Sequence, residues 1–182
     1  MENYIAILRG INVSGKHMIP MKELQSLMET LPFRQVRTYI QSGNVLFQAE
    51  ATATRELAAH ISGKIFDRYR FRVPVIIRTA GELEEALGRN PFLQQSNLET
   101  DKLHVTFLAD QPSQALIDPV SDQAYEPDKC HISGREVFLY CPQGYGRTKL
   151  NNAFFEKKLG VTATTRNLKT VKQLISMAAM EG

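Results

Sequence analysis

The segment Arg9-Gly10-Ile11-Asn12-Val13-Ser14-Gly15-Lys16 has the spacing closest to a chemical device. Gly10-x-x-x-x-Gly15-Lys16 matches the opening of a phosphate-cradling loop, in which backbone N–H groups and a lysine hold an anion. The next residue is His17, so the hydroxyl that would bind Mg²⁺ is missing. The following helix signal starts near Pro20 rather than at the lysine, and no apolar strand ending in Asp follows as a metal-holding partner. A nucleoside triphosphatase is therefore set aside in favour of a Gly-rich loop able to touch an anion. A second polar cluster, Gln41-Ser42-Gly43-Asn44, has the composition of a tight hairpin. A third and a fourth, Gly144-Tyr145-Gly146-Arg147-Thr148-Lys149 and Thr165-Arg166-Asn167, each precede a helix pattern, with Thr148 and Asn167 as N-cap candidates. Helix starts offer free N–H groups and partial positive charge, to which Arg147, Lys149 and Arg166 add full charge.

The remaining reactive side chains carry weaker signals. His17, His60, His104 and His131 show no metal-ligand spacing, and only His17 lies in a loop of interest, as a general acid or base. No Gly-x-Ser-x-Gly elbow is present, and Ser42 is explained by its hairpin. Tyr145, between two glycines, could stack on a base or sugar or simply cover a helix start. A turn at Ser133-Gly134 pairs Cys130 with residue 137 or 139, leaving Cys141 displaced along the strand. A disulfide needs Cβ atoms about 3.8 Å apart, so two free structural thiols are expected. No residue is assigned a catalytic role, and neither a metal nor a cofactor is expected.

These clusters need elements to position them. Tyr4–Leu8 reads as a strand, and Pro20 opens a helix whose apolar face is Met21, Leu24, Leu27, Met28 and Leu31. Val36–Ile40 and Val45–Phe47 read as a hairpin. Residues 53–69 read as a helix with a buried stripe of Leu57, Ile61 and Ile65, and Val73–Ile77 as a strand. A short helical linker, Gly81–Leu87, follows. The order then recurs: strand Leu103–Leu108, weak helix Ser113–Ile117, hairpin Tyr125–Ile132 with Val137–Cys141, helix Leu150–Leu159, strand Val161–Thr165 and helix Leu168–Met180. No residue-level repeat is visible; the duplication lies in the pattern of elements. The expectation is an α+β protein of two tandem ferredoxin-like βαββαβ units packed together, with an extra C-terminal helix. The boundaries are residues 1–78 for the first unit, 79–101 for the linker and 102–182 for the second unit with that helix. In each unit the third strand should lie between the first and second. The loop after strand one and the hairpin between strands two and three then emerge at one end of the first sheet. The motifs of the second unit lie at the opposite end of theirs.

Three blocks of this chain are similar to a known family. They are Tyr4-Ile5-Ala6-Ile7-Leu8-Arg9-Gly10-Ile11-Asn12-Val13, Thr38-Tyr39-Ile40-Gln41-Ser42-Gly43-Asn44-Val45 and Thr164-Thr165-Arg166-Asn167-Leu168-Lys169-Thr170-Val171. On these blocks the chain resembles the bacterial domain-of-unknown-function family numbered 1697. That family usually carries tryptophan where this sequence has Leu168, and often a second glycine where it has Ser14. The resemblance implies a cytoplasmic bacterial α+β protein and no established activity.

Composition narrows the class. The 182 residues are 43% hydrophobic, 8% aromatic and 23% charged, which excludes a collagen, a disulfide mini-protein, a disordered tail and a solenoid. No apolar run approaches the ~20 residues of a membrane span. The start, Met1-Glu2-Asn3-Tyr4, has neither a basic region nor a cleavable apolar stretch, so a full-length cytoplasmic protein is expected. Net charge is +3 but uneven: residues 1–78 hold 11 basic against 6 acidic residues, 79–142 hold 4 against 11, and 143–182 hold 7 against 2. Two basic blocks around an acidic one suggest a shared anionic partner. The expected activity is binding of a small phosphate- or carboxylate-bearing ligand in a cleft between the units, by Arg9, Asn12, Lys16, Gln41, Asn44, Arg147, Lys149, Arg166 and Asn167. The competing expectation is a non-catalytic nucleic-acid or protein-binding module. Against it, the strands show no run of glycine with alternating aromatics of the kind that stacks RNA bases.

Overall fold

The computed structural model describes residues 1–180. The chain forms two compact units. Residues 1–83, together with the end of the last helix from Leu174, make unit 1; Glu84–Gln173 make unit 2. Each unit contains a four-stranded antiparallel sheet.

Unit 1 runs β1 (Glu2–Leu8), α1 (Met21–Glu29), β2 (Arg34–Tyr39), β3 (Asn44–Ala49), α2 (Thr54–Tyr69) and β4 (Val75–Thr79). Its strand order is β2-β3-β1-β4, so the third strand does lie between the first and second. One sheet face carries Tyr4, Ala6, Leu8, Val45, Phe47, Val75 and Ile77 and packs on Leu24 and Met28 of α1 and Leu57, Ile61 and Ile65 of α2. The stripe read from the sequence of α2 is thus the buried one, each side chain contributing roughly 1.5–3 kcal/mol of burial. Pro20 stands just before α1, as its N-cap residue rather than its first turn. The other sheet face, carrying Ile5, Ile7, Leu46, Ile76 and Arg78, is also buried.

A helix α3 (Ala80–Arg89) follows β4 directly, opened by a reciprocal cap: Glu82 N–H donates to Thr79 Oγ1 (3.2 Å) and Thr79 N–H to Glu82 Oε2 (2.9 Å). Unit 2 continues with β5 (Leu103–Leu108), α4 (Gln114–Ser121), β6 (Lys129–Ser133), β7 (Glu136–Tyr140), α5 (Asn152–Leu159), β8 (Ala163–Asn167) and the start of α6 (Leu168–Ala179). The strand order β6-β7-β5-β8 repeats that of unit 1. Leu108, Val137, Leu139 and Ala163 pack on Ile117 and Val120 of α4 and Phe155 and Leu159 of α5.

Several boundaries depart from expectation; β4 and β8 both lie two residues later than the ranges read from the sequence, at Val75–Thr79 and Ala163–Asn167. Strand β6 begins at Lys129 rather than Tyr125, because residues 125–128 make a turn closed by Asp128 N–H to Tyr125 O (3.0 Å). Helix α5 begins at Asn152 rather than at Leu150. Its cap is Asn151, whose Oδ1 accepts from Phe154 N–H at 2.9 Å, not Thr148.

Candidate functional site

The polar edge of unit 1 is built from the loop after β1 and the turn between β2 and β3. Asn12 N–H donates to His17 O (3.1 Å) and Lys16 N–H to Val13 O (2.9 Å), so residues 12–17 form a miniature hairpin. Ser14 (φ 51°) and Gly15 (φ 73°), both left-handed, make its two-residue turn. The segment is therefore a hairpin rather than a phosphate-cradling loop that leads into a helix. Asn12 Nδ2 donates to Ile19 O (3.0 Å) and Gln41 O (2.9 Å), while its Oδ1 accepts from Ile19 N–H (2.7 Å). One amide thus closes the loop and ties it to the β2–β3 turn.

The turn is held from within. Asn44, fully buried, donates from Nδ2 to Tyr39 O (2.9 Å) and Ser42 Oγ (3.2 Å). Leu8 N–H donates to Gly43 O (2.9 Å), joining turn and strand β1. Gly43 sits at φ 94°, and a Cβ there would lie 2.7 Å from Ile11 Cδ1, so glycine is required by conformation and by space. The edge that the sequence predicts does assemble. Within it Asn12 spends its amide donors on the backbone, Asn44 spends its own on a backbone carbonyl and the Ser42 hydroxyl, and Gln41 and Lys16 are exposed. Arg9, half-buried, donates its N–H to Pro74 O (3.0 Å). His17 stacks on Phe71, with ring centroids 4.4 Å apart.

The edge of unit 2 is organised differently from its reading. Residues 145–147 form a single 3-10 turn that exposes Arg147; Lys149 is exposed beyond it. Thr148, nearly buried, donates from Oγ1 to Asp128 Oδ2 (2.6 Å) and accepts from Leu150 N–H (3.1 Å). Asn167 is the cap expected of it, its Oδ1 accepting from Thr170 N–H at 2.8 Å. The start of α5 lies beside strand β8, since Thr165 Oγ1 donates to Asn152 Oδ1 (2.7 Å). Arg166 is only 7% exposed, and its Nη1 donates to Thr164 Oγ1 (3.0 Å) and Thr165 O (2.9 Å). Burial lowers its pKa to about 10, opposed by the nearby Tyr145. Arg166 therefore belongs to the interior, not to the exposed rim with Arg147 and Lys149.

Tyr145 stacks on His104 (5.0 Å between centroids) and packs against the core of unit 2. Burial holds the His104 pKa below the usual histidine range. Cys130 pairs with Leu139 across β6 and β7, and both cysteines are free thiols whose pKa values burial raises to about 11. Among the described residues no three His, Cys, Asp or Glu side chains are grouped to hold a metal ion. No helix among them is long and apolar enough to cross a membrane.

The solved structure of the conserved bacterial protein SP0830 from Streptococcus pneumoniae is similar to this chain. The TM-score is 0.76 at 22% identity, with 98% of this chain and 99% of that one covered. At that identity the likeness concerns the fold alone. No curated protein matches. The family model described as "Protein of unknown function (DUF1697)" matches residues 1–138, which include the loop after β1 and the β2–β3 turn. The chain belongs to the DUF1697 family.

Proposed function

We propose that the protein binds a small anionic ligand, bearing phosphate or carboxylate, at the loop edge of unit 1, with Arg9, Lys16 and Gln41 toward the ligand and Asn12 and Asn44 holding the frame. One observation carries this reading. Among the described residues six non-glycine positions have positive φ, and four of them are here: Asn12 (55°), Ser14 (51°), His17 (48°) and Ile40 (50°). A left-handed β-branched residue is a costly outlier, and Ile40 is in addition 47% exposed. Strain of this kind persists where the surroundings over-determine the backbone, which is the signature of a preorganised site. The exposed cations Arg147 and Lys149 are proposed as contributors of the same chemistry at the edge of unit 2. The strand orders support assigning both units to the ferredoxin-like class. Two free thiols suit a reducing cytoplasm. The buried second sheet face of unit 1 disfavours the competing reading in which RNA lies across an open sheet there.

Thermal denaturation against phosphate, nucleotides and small carboxylates tests the reading. A ligand at 100-fold its Kd adds ~2.7 kcal/mol, which is roughly 5–10 °C in Tm for a chain of this size. Lys16→Ala should abolish the response with the unliganded Tm unchanged. Asn44→Ala should lower the unliganded Tm, and Ile40→Gly should raise it while weakening the response. Lys16→Ala with an undiminished response sinks the assignment.

A further inference from the structure

A second surface of unit 1 adjoins this edge at His17. Residues 68–72 alternate strictly, Arg68-Tyr69-Arg70-Phe71-Arg72, where α2 ends and the chain turns toward β4. Tyr69 and Phe71 are half-buried and pack on the unit's core, while the three arginines are exposed. The rings form a ladder: Tyr69 stacks on Phe71 (5.8 Å, 28°), and Phe71 on the exposed His17 (4.4 Å, 10°). Two guanidiniums are fixed over ring faces, Arg68 over Tyr69 and Arg72 over the exposed Phe66, each 5.3 Å from the centroid. Beside Tyr69 a groove of about 390 Å³ runs between α1 and the end of α2, lined by Lys22, Ser26, Thr30 and Arg68. Glu23 also lines the groove, where it offsets Arg68 at 3.7 Å and accepts from the Tyr69 hydroxyl at 3.5 Å; Lys22 is the groove's other cation, and the exposed Arg70 and Arg72 lie outside it.

We propose that this ledge binds single-stranded nucleic acid, with a base stacked on the exposed His17 that ends the Tyr69–Phe71–His17 ladder and phosphates on Arg70, Arg72 and Lys22. Aromatic rings provide a π-face that any base can use, and interleaved cations track the backbone without reading sequence. An acidic peptide would use the arginines and leave the ladder idle, so the rings favour the nucleic acid. This inference shares His17 with the loop edge but none of the side chains proposed there to meet the anion.

Fluorescence anisotropy with a labelled 20-nucleotide single strand, on the full chain, tests it. Binding should weaken with salt, log K falling by about 0.7 per phosphate contact in log salt, and Arg70→Gln with Arg72→Gln should flatten that slope. Tyr69→Leu, which keeps an apolar side chain on the core, should weaken binding about tenfold, and Tyr69→Phe should retain it. Should Tyr69→Leu lose its thermal transition, the exposed His17→Ala carries the same reading, with weakened binding as the supporting result. The proposal is overturned by the absence of binding at low salt, by polyglutamate competing as well as the oligonucleotide, by a mononucleotide saturating the surface as tightly as the strand, or by ring variants that bind like wild type.

Discussion

Single residues at both edges do structural work that their types alone do not reveal. An asparagine in a Gly-rich loop reads equally well as a ligand donor or as a loop-closing amide; Asn12, with both Nδ2 protons committed to Ile19 O and Gln41 O, is the latter. The cysteines show the same pull of surroundings on chemistry. Burial raises the thiols of Cys130 and Cys141 from 9.0 to about 11; Cys141 adds to the rise at Cys130, while at Cys141 a hydrogen bond with Thr148 opposes it and Asp128 adds to it. A folded-state pKa above the unfolded value means the folded chain holds its protons longer. The stabilisation is thus fully present below pH 9 and lost as pH rises through about 11, of order 2 kcal/mol per thiol. Urea denaturation from pH 8 to 11 should therefore show a steeper fall for the wild type than for the Cys130→Ala/Cys141→Ala protein. Parallel curves for the two proteins would contradict the raised pKa values.

At the scale of elements, what the sequence made legible was whatever period and punctuation encode. The stripe Leu57, Ile61 and Ile65, the hairpin at Gln41–Asn44 and the cap at Asn167 are local signals, and each recurs in the structure. Where tertiary partners decide, the local signal misleads. Tyr125 looks like a strand residue, yet its hydroxyl donates to Val120 O (2.9 Å) and its ring meets Phe154 edge-on, so it packs in a turn. Thr148 looks like a cap, yet its hydroxyl is drawn to Asp128, and the helix opens three residues later on Asn151. The ledge residues 68–72 escaped a reading in search of elements because they straddle the end of α2 and the connection to β4; the alternation itself was in plain view. The reassigned cap gives a direct comparison. Asn151→Ala should cost about 1 kcal/mol of stability, the usual loss for an N-cap. Thr148→Ala removes a buried hydroxyl from both Asp128 and Leu150 N–H, and its cost should depend on the charge of Asp128. In an Asp128→Asn background the Thr148→Ala penalty should shrink, and an unchanged penalty in that double-mutant cycle would show that the pair is not coupled.

At the scale of the whole molecule, the repetition reaches residues that the sequence alone hid. The last strand of each unit carries a buried arginine one place before its end, Arg78 opposite Ile5 and Arg166 opposite Val105. The next residue, Thr79 or Asn167, caps a helix that starts at once. Aligning Val75-Ile76-Ile77-Arg78-Thr79 with Ala163-Thr164-Thr165-Arg166-Asn167 shares only the arginine, too little to find without the sheet registers. The repetition includes those helices: α3 begins in unit 1 and from Glu84 belongs to unit 2. Likewise α6 begins in unit 2, but from Leu174 on it belongs to unit 1, where Arg37 Nη2 donates to Met177 O (2.7 Å) across 140 residues of sequence. No local pattern encodes such a pairing. A guanidinium at a carbonyl of the last turn also opposes the negative end of the helix dipole. Leu174, fully buried, should cost about 2–5 kcal/mol when cut to alanine. Because the end of α6 completes unit 1, hydrogen exchange in Leu174→Ala should speed up in β2 and α1 while β5 and β7 stay protected. Arg37→Met, which removes the donor and keeps an apolar stem, should loosen the same segments more mildly. Equal loss of protection in both units would mean that α6 stabilises the molecule without allegiance to either one.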